Sequence, residues 1–231
     1  MQTRWHFSDS ESAFVAAALE QVARAEQEAL AARGAFHIVL AGGETPRKVY
    51  QALARQAHDW PCWHIWFGDE RCLPAGHPER NSTMAGTTLL DRVPVAALHT
   101  IPAELGARAA ASDYARDLAG IGEFDLVLLG LGEDGHTASL FPFHTDESLA
   151  DALPVFAAPK PPPERVTLSA TRLSRARHVM FLVSGAGKAD ALRRWRAGEP
   201  ANTSIPAAAI HPEAGVDVLL APELSSSGVT S

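Results

Sequence analysis

The sequence predicts an α/β fold with a mainly parallel sheet and helices on both faces. Three observations carry this. Short apolar runs that end at glycine, such as Leu126-Val127-Leu128-Leu129 before Gly130, read as strands buried on both faces. Between them lie segments with apolar residues at helical spacing. The two kinds alternate along nearly the whole chain, with no internal repeat. The 231 residues are 46% hydrophobic and 20% charged, ample for a full core and far from a disordered composition. One domain over residues 1–231 is expected, with a loose polar tail at 225–231.

The elements follow in order. Residues 1–10 are polar. Asp9 or Ser10 can cap a helix to about Arg33, with Phe14, Ala17, Ala18, Val22, Ala25 and Ala29 as its stripe and Gly34 as its stop. Ala35 to Leu40 is a strand running into Ala41-Gly42-Gly43-Glu44-Thr45-Pro46. There Thr45 suits a cap and Pro46 the first helical position. Trp60 to Phe67 reads as an aromatic strand, followed by an irregular charged loop from Asp69 to Asn81. A helix is expected over 82–90, a short strand over 98–101 and a helix over 108–118. The central strand spans 124–130. Residues 143–163 are less regular, and Pro159, Pro161, Pro162 and Pro163 make a rigid connector. Strands are expected at 165–168, 178–183 and 216–220. A helix starts within 184–188 and runs to about Trp195, and a short one covers 205–210.

Several function classes recede at this stage. The net charge of −7 argues against a diffuse nucleic-acid or membrane surface. Cys62 and Cys72 show no redox or metal spacing and read as reduced thiols. The ten histidines lack HxxxH and HExxH pairings, so a zinc site is not expected. No secretory segment and no apolar stretch near the ~20 residues of a membrane span are seen, which predicts a cytoplasmic chain. No GxSxG elbow is present.

Four stretches carry chemistry. Gly130-Leu131-Gly132-Glu133-Asp134-Gly135 matches GxGxxG, yet it lies mid-chain and no acidic residue ends the next strand, so a dinucleotide site is disfavoured. His136 follows it, with Asp134 placed to orient the ring; a structural histidine is the plain alternative. Gly42-Gly43-Glu44-Thr45 offers backbone N–H groups at a helix start, either as an anion seat or as an ordinary turn. Asp69-Glu70-Arg71 presents an arginine clamp or a loop ion pair. Ser184-Gly185-Ala186-Gly187-Lys188 fails as a P-loop, because Leu182 and Ala189 stand where Gly and Ser or Thr are needed. It still places a lysine in a first helical turn, as an anion ligand or a solvated charge.

Taken together, LAGGETPRKVYQAL (40–53), WFGDERCLPAGHPERNSTMA (66–85) and DLVLLGLGEDGHTASLFP (125–142) resemble the 6-phosphogluconolactonase family. PKPPPERVTLSATRL (159–173) and FLVSGAGKADALRR (181–194) extend the match over nearly the whole chain. The resemblance implies a Rossmann-like three-layer αβα sandwich, similar to the glucosamine-6-phosphate deaminase and ribose-5-phosphate isomerase fold. It implies hydrolysis of 6-phospho-D-glucono-1,5-lactone in the oxidative pentose phosphate pathway, without metal, nucleotide or other cofactor, by a monomer without obligate protein partner. In that reading His136 is the general base, Asp134 its orienting partner, and Arg71 a cation for the phosphate or the developing charge. Lys188 with Gly42, Gly43 and Thr45 would hold the phosphate, and Asp69 and Arg165 complete the substrate set. Imidazole's ordinary pKa of ~6.5 suits a base near neutrality.

There are departures. The phosphate turn usually reads SGGSTP, where this chain has Ala41 and Glu44. Glu44 is expected to turn away or to pair with Arg47 or Lys48. The usual SN dipeptide is Arg80-Asn81 here. The rival deaminase reading requires a glutamate five residues after the histidine, and position 141 is Phe. A non-catalytic sugar-phosphate binder is the other alternative, against which His136 and Asp134 count.

Overall fold

The computed structural model describes residues 2–143, 149–201 and 204–224. In chain order the elements are β1 (Thr3–Phe7), α1 (Glu11–Arg33), β2 (Phe36–Leu40), α2 (Glu44–Leu53), β3 (Trp63–Phe67), β4 (Asp69–Arg71), α3 (Asn81–Thr88) and β5 (Ala97–Leu98). They continue with α4 (Ala107–Asp117), β6 (Phe124–Leu129), β7 (Ala152–Val155), β8 (Arg165–Leu168), α5 (Ala170–Ser174), β9 (Ala176–Val183), α6 (Ala189–Arg196) and β10 (Val216–Leu220). Seven strands form an all-parallel sheet in the order β1-β10-β9-β6-β2-β3-β5. A small antiparallel sheet, β4-β8-β7, stands beside it. β6 is the middle strand, and all six of its residues are buried. That is why its sequence is apolar without alternation.

Helices cover both faces. Trp63 and Trp66 lie three apart on β3 and so point to opposite faces. Trp63 donates its indole N–H to Glu26 of α1 at 2.6 Å, while Trp66 packs 6.0 Å from the ring of Tyr114 on α4. α1 begins and ends as its sequence dictates. Ser10 Oγ accepts from the Ala13 N–H at 3.1 Å, and Gly34 closes the helix at φ 72°, a left-handed value that suits glycine.

The structure corrects several expectations. Thr3–Phe7, within the polar start, is an edge strand, and its Arg4 and His6 both bind Asp217 of β10. The aromatic strand starts only at Trp63, because Trp60–Cys62 is a 3-10 turn; Pro61 has no N–H for a ladder. The charged loop contains β4, and the irregular stretch contains β7. Gly43, not Thr45, caps α2. Residues 186–188 and 206–209 are 3-10 turns rather than α-helix. The tail at 225–231 lies outside the described residues.

At the foot of the sheet, His37, His64 and His99 stack with ring centroids 4.4 and 5.8 Å apart. Trp66 stacks on His99 at 3.8 Å and donates its Nε1–H to His37 Nδ1 at 3.2 Å, so that nitrogen is unprotonated. Burial first, and the neighbouring His64 second, push His37 down to about 4; burial lowers His99 as well. An unfolded histidine titrates near 6.5. The unfolded chain therefore binds more protons in between, and stability that is whole above pH 6.5 is lost as pH falls toward 4. The thermal midpoint should drop across that window, and His37→Leu should make the drop shallower. An unchanged slope in differential scanning calorimetry would remove His37 from the acid response.

Candidate active site

The strand order reverses between β2 and β6. β2 leads on to β3 on one side, and β6 leads toward β9 on the other. Loops leaving the carboxyl ends of such a pair diverge and leave a crevice. Here those loops are Ala41-Gly42-Gly43 and Gly130 to Thr137. They line a cavity of about 330 Å³ together with Asp69, Arg71, Asn81, Lys160, Arg165 and Lys188.

His136 stands at the centre. Its Nδ1 lies 2.5 Å from Asp134 Oδ1, and its backbone N–H reaches the same oxygen at 3.2 Å. Burial opposes charge on Asp134, but the hydrogen bond and charge of His136 outweigh it and hold the carboxyl at about 2. An ionised carboxylate only accepts, so in the neutral ring it is Nδ1 that carries the proton and Nε2 that offers the lone pair. Gly132 makes this pairing possible. A Cβ there would stand 1.9 Å from His136 Nδ1 and 2.5 Å from Asp134 Oδ1. Its N–H also binds the His136 carbonyl at 2.7 Å. Phe141 packs 4.8 Å from the imidazole, and the Arg165 guanidinium lies 5.6 Å from the Phe141 ring centre.

The arm bearing Arg71 is tied down by two carboxylates. Glu70 is fully buried and accepts the N–H groups of Arg71, Asn81 and Ser82 and the Ser82 hydroxyl, all at 2.7–2.9 Å. It thus serves the open N-terminus of α3 rather than pairing with Arg71. Asp69 lines the cavity, but one oxygen accepts from Asn81 Nδ2 at 2.9 Å and the other from Ser139 Oγ at 2.6 Å. Asp69 therefore ties the Arg71 arm to the His136 loop. Asn81 also explains a glycine: a Cβ on Gly42 would sit 1.9 Å from Asn81 Oδ1. Arg71 Nη1 donates to the Glu79 carbonyl at 2.9 Å.

Not every expected residue faces this cavity. Thr45 lies in an adjoining cavity of about 290 Å³ that shares Gly42, Gly43 and Lys188, and its hydroxyl pairs with that of Ser184 at 2.6 Å. Arg80 is buried and braces Glu104 and the Ile101 carbonyl, both at 2.8 Å. Glu44 pairs with Arg47 at 3.3 Å, while Lys48 pairs with Glu11. Lys160 and Ser139 were not singled out in the sequence, and Asn81 was noted only within the Arg80-Asn81 dipeptide. Lys160 had only the weak signal of a charge beside a rigid proline run.

Among the described residues, four cationic side chains (Arg71, Lys160, Arg165 and Lys188) and one carboxylate line the cavity. In a chain of net charge −7 such a concentration fits an anionic ligand. Lys188 is half-buried, and burial lowers its pKa despite the nearby Glu133.

A basic crevice with an oriented histidine, at the switch point of a parallel sheet, defines an α/β enzyme that works on a small anion by acid–base chemistry. The model of the glucosamine-6-phosphate isomerases/6-phosphogluconolactonase family matches residues 9–219, and the chain belongs to that family. It is 41% identical over 197 residues to 6-phosphogluconolactonase of Synechocystis sp., covering 80% of this chain and 82% of the relative. It is 38% identical over 224 residues to 6-phosphogluconolactonase of Homo sapiens, covering 90% and 86%. Among solved structures, 6-phosphogluconolactonase from Thermotoga maritima superimposes with a TM-score of 0.87 at 26% identity, covering 95% of this chain and all of that one.

Proposed function

We propose that this chain hydrolyses 6-phospho-D-glucono-1,5-lactone to 6-phospho-D-gluconate, a step of the oxidative pentose phosphate pathway. The observation that carries the mechanism is the His136–Asp134 pair inside a crevice lined by cations. His136 Nε2 takes a proton from water as its oxygen adds to the lactone carbonyl. A nearby cation, Arg71 foremost, steadies the resulting oxyanion. The ring oxygen then leaves and receives the proton, giving the open acid. A lactone is an activated ester, so one base and one charge stabiliser suffice, and the step calls for no metal or cofactor. The phosphate, at ≈ −1.5 to −2 charge, is the positioning handle. Lys188 and the N–H groups of Gly43, Glu44 and Thr45 at the start of α2 are its seat.

The deaminase reading gains no support at position 141, where Phe141 covers the imidazole with an apolar ring. The chain is read as one cytoplasmic domain acting as a monomer. One large core spanning the parallel sheet supports a single domain. No helix among the described residues is long and apolar enough to cross a membrane. The test is acid release from fresh 6-phosphogluconolactone, corrected for spontaneous opening, beside ammonia release from glucosamine 6-phosphate. Lactone opening is expected; ammonia release without it would overturn the assignment.

A further inference from the structure

His136 is followed at once by a tight turn, Thr137 to Leu140, closed by the Leu140 N–H on the Thr137 carbonyl at 2.9 Å. The second residue of the turn, Ala138, has φ 47°, a left-handed value uncommon for a residue with a Cβ. Such a value persists where the surroundings fix it. Two buried hydroxyls do so here, one on each side of Ala138. Thr137 Oγ1 donates to the Gly130 carbonyl at 2.8 Å and closes the His136 loop onto its own start. Ser139 reaches the other way, to the small sheet. Its Oγ donates to Asp69 Oδ2 at 2.6 Å, and its N–H to Thr167 Oγ1 at 3.2 Å. Asp69 and Thr167 are opposite each other on β4 and β8, so Ser139 sits astride one rung of that sheet.

Arg71 and Arg165 form the rung two residues further on. Two residues along a strand are about 7 Å, and they share a face. One face of the small sheet thus carries the anchor of the His136 turn and, a fixed step away, Arg71. Asp69 is braced in turn by Asn81, whose Nδ2 donates to its Oδ1 and to its carbonyl, both at 2.9 Å. Both carboxylate oxygens of Asp69 therefore hold protein donors. Ser139 is buried and takes no part in the cavity wall. We propose that Ser139 and Asp69 are positioning residues, whose hydrogen bond sets the spacing between His136 and Arg71 so that base and cation meet on one lactone carbonyl. This inference rests on the function proposed above and deepens it. It places Asp69 in the frame of the site rather than on the substrate. A reacting geometry displaced by about 1 Å can cost 10²-fold in rate, so a slackened tether is felt in turnover before it is felt in binding.

The experiment compares wild type with Ser139→Ala, Ser139→Cys, Arg71→Met and Ser139→Ala combined with Arg71→Met. Lactone kinetics are followed across the neutral pH range, with calorimetry for 6-phosphogluconate binding and a thermal melt for the fold. Ser139→Ala should lower kcat about tenfold, while KM and product binding stay within about twofold. The pH midpoint of kcat/KM should not move, because the His136–Asp134 pair is untouched. Ser139→Cys keeps the size and a weak donor, so its kcat should fall between wild type and Ser139→Ala. With Arg71→Met already present, Ser139→Ala should cost less than about twofold more, because a residue acting through another does not add to its loss. Wild-type kcat in a folded Ser139→Ala would overturn the tether, and if that variant does not fold, wild-type kcat in Ser139→Cys would do the same. Full additivity with Arg71→Met would overturn the link to the cation. A shifted pH midpoint would place the damage in the His136–Asp134 pair and overturn it too. A wild type that binds 6-phosphogluconate but leaves the lactone closed would overturn the proposed activity, a result separate from any difference among the variants.

Discussion

His136→Ala is expected to lower kcat for lactone opening by about 10²–10⁴-fold, the range lost with a positioned general base. Binding of 6-phosphogluconate should persist, because the cations of the crevice come from other segments: Arg71 from β4, Lys160 and Arg165 from the approach and start of β8, and Lys188 from the turn after β9. The fold should also persist. The imidazole is partly exposed, at 18%, and its one close polar partner among the described residues is Asp134. Stopped-flow or pH-stat kinetics on fresh substrate, with calorimetry for product binding, measure both halves. A variant whose kcat stays within a few-fold of wild type would move the base elsewhere.

Gly132→Ala should lose nearly as much, about 10²-fold in kcat, although it removes no functional group. The added methyl would fall 1.9 Å from His136 Nδ1 and 2.5 Å from Asp134 Oδ1, so the pair must separate. Gly132 needs no left-handed backbone, unlike Gly135 at φ 90°, so the harm is confined to side-chain contact. A ring displaced by about 1 Å can cost 10²-fold in rate. Melting within a few degrees of wild type, unchanged product binding and a collapsed kcat would together locate the damage at the base. Wild-type kcat in Gly132→Ala would show that the close pairing is dispensable.

The sequence made some of this visible and hid the rest for physical reasons. β6 was legible because both its faces are buried, and α1 because Ser10 and Gly34 mark its ends. The spacing of Asp134 and His136 placed acid and base on one tight loop, and the family resemblance gave those residues roles. β1 and β4 were hidden because they are short and polar. Their charged residues are stabilised by partners outside the strand, Asp217 at the far end of the chain for Arg4 and the start of α3 for Glu70. β7 was hidden by the prolines around it. Glu70 looked like half of a surface ion pair, and only the tertiary structure shows it serving the end of a helix. Lys160 had only the weak signal of a charge beside prolines; that it lines the same cavity as Arg71 and Lys188 is a property of topology.

The reversal of strand order also sets when the catalytic crevice can come into being during folding. β2 ends at Leu40, yet its neighbour β6 begins only at Phe124, and the chain must first lay down β3 and β5 on the other side. A chain emerging from the ribosome as far as α4 already carries the glycine turn and the Arg71 arm but has no base to face them. Pairing across such a long connection is slow, because loop closure must precede the contacts that reward it. During refolding, lactone-opening activity should therefore appear only with the completed central sheet, so that activity reports the last long-range pairing rather than the first collapse.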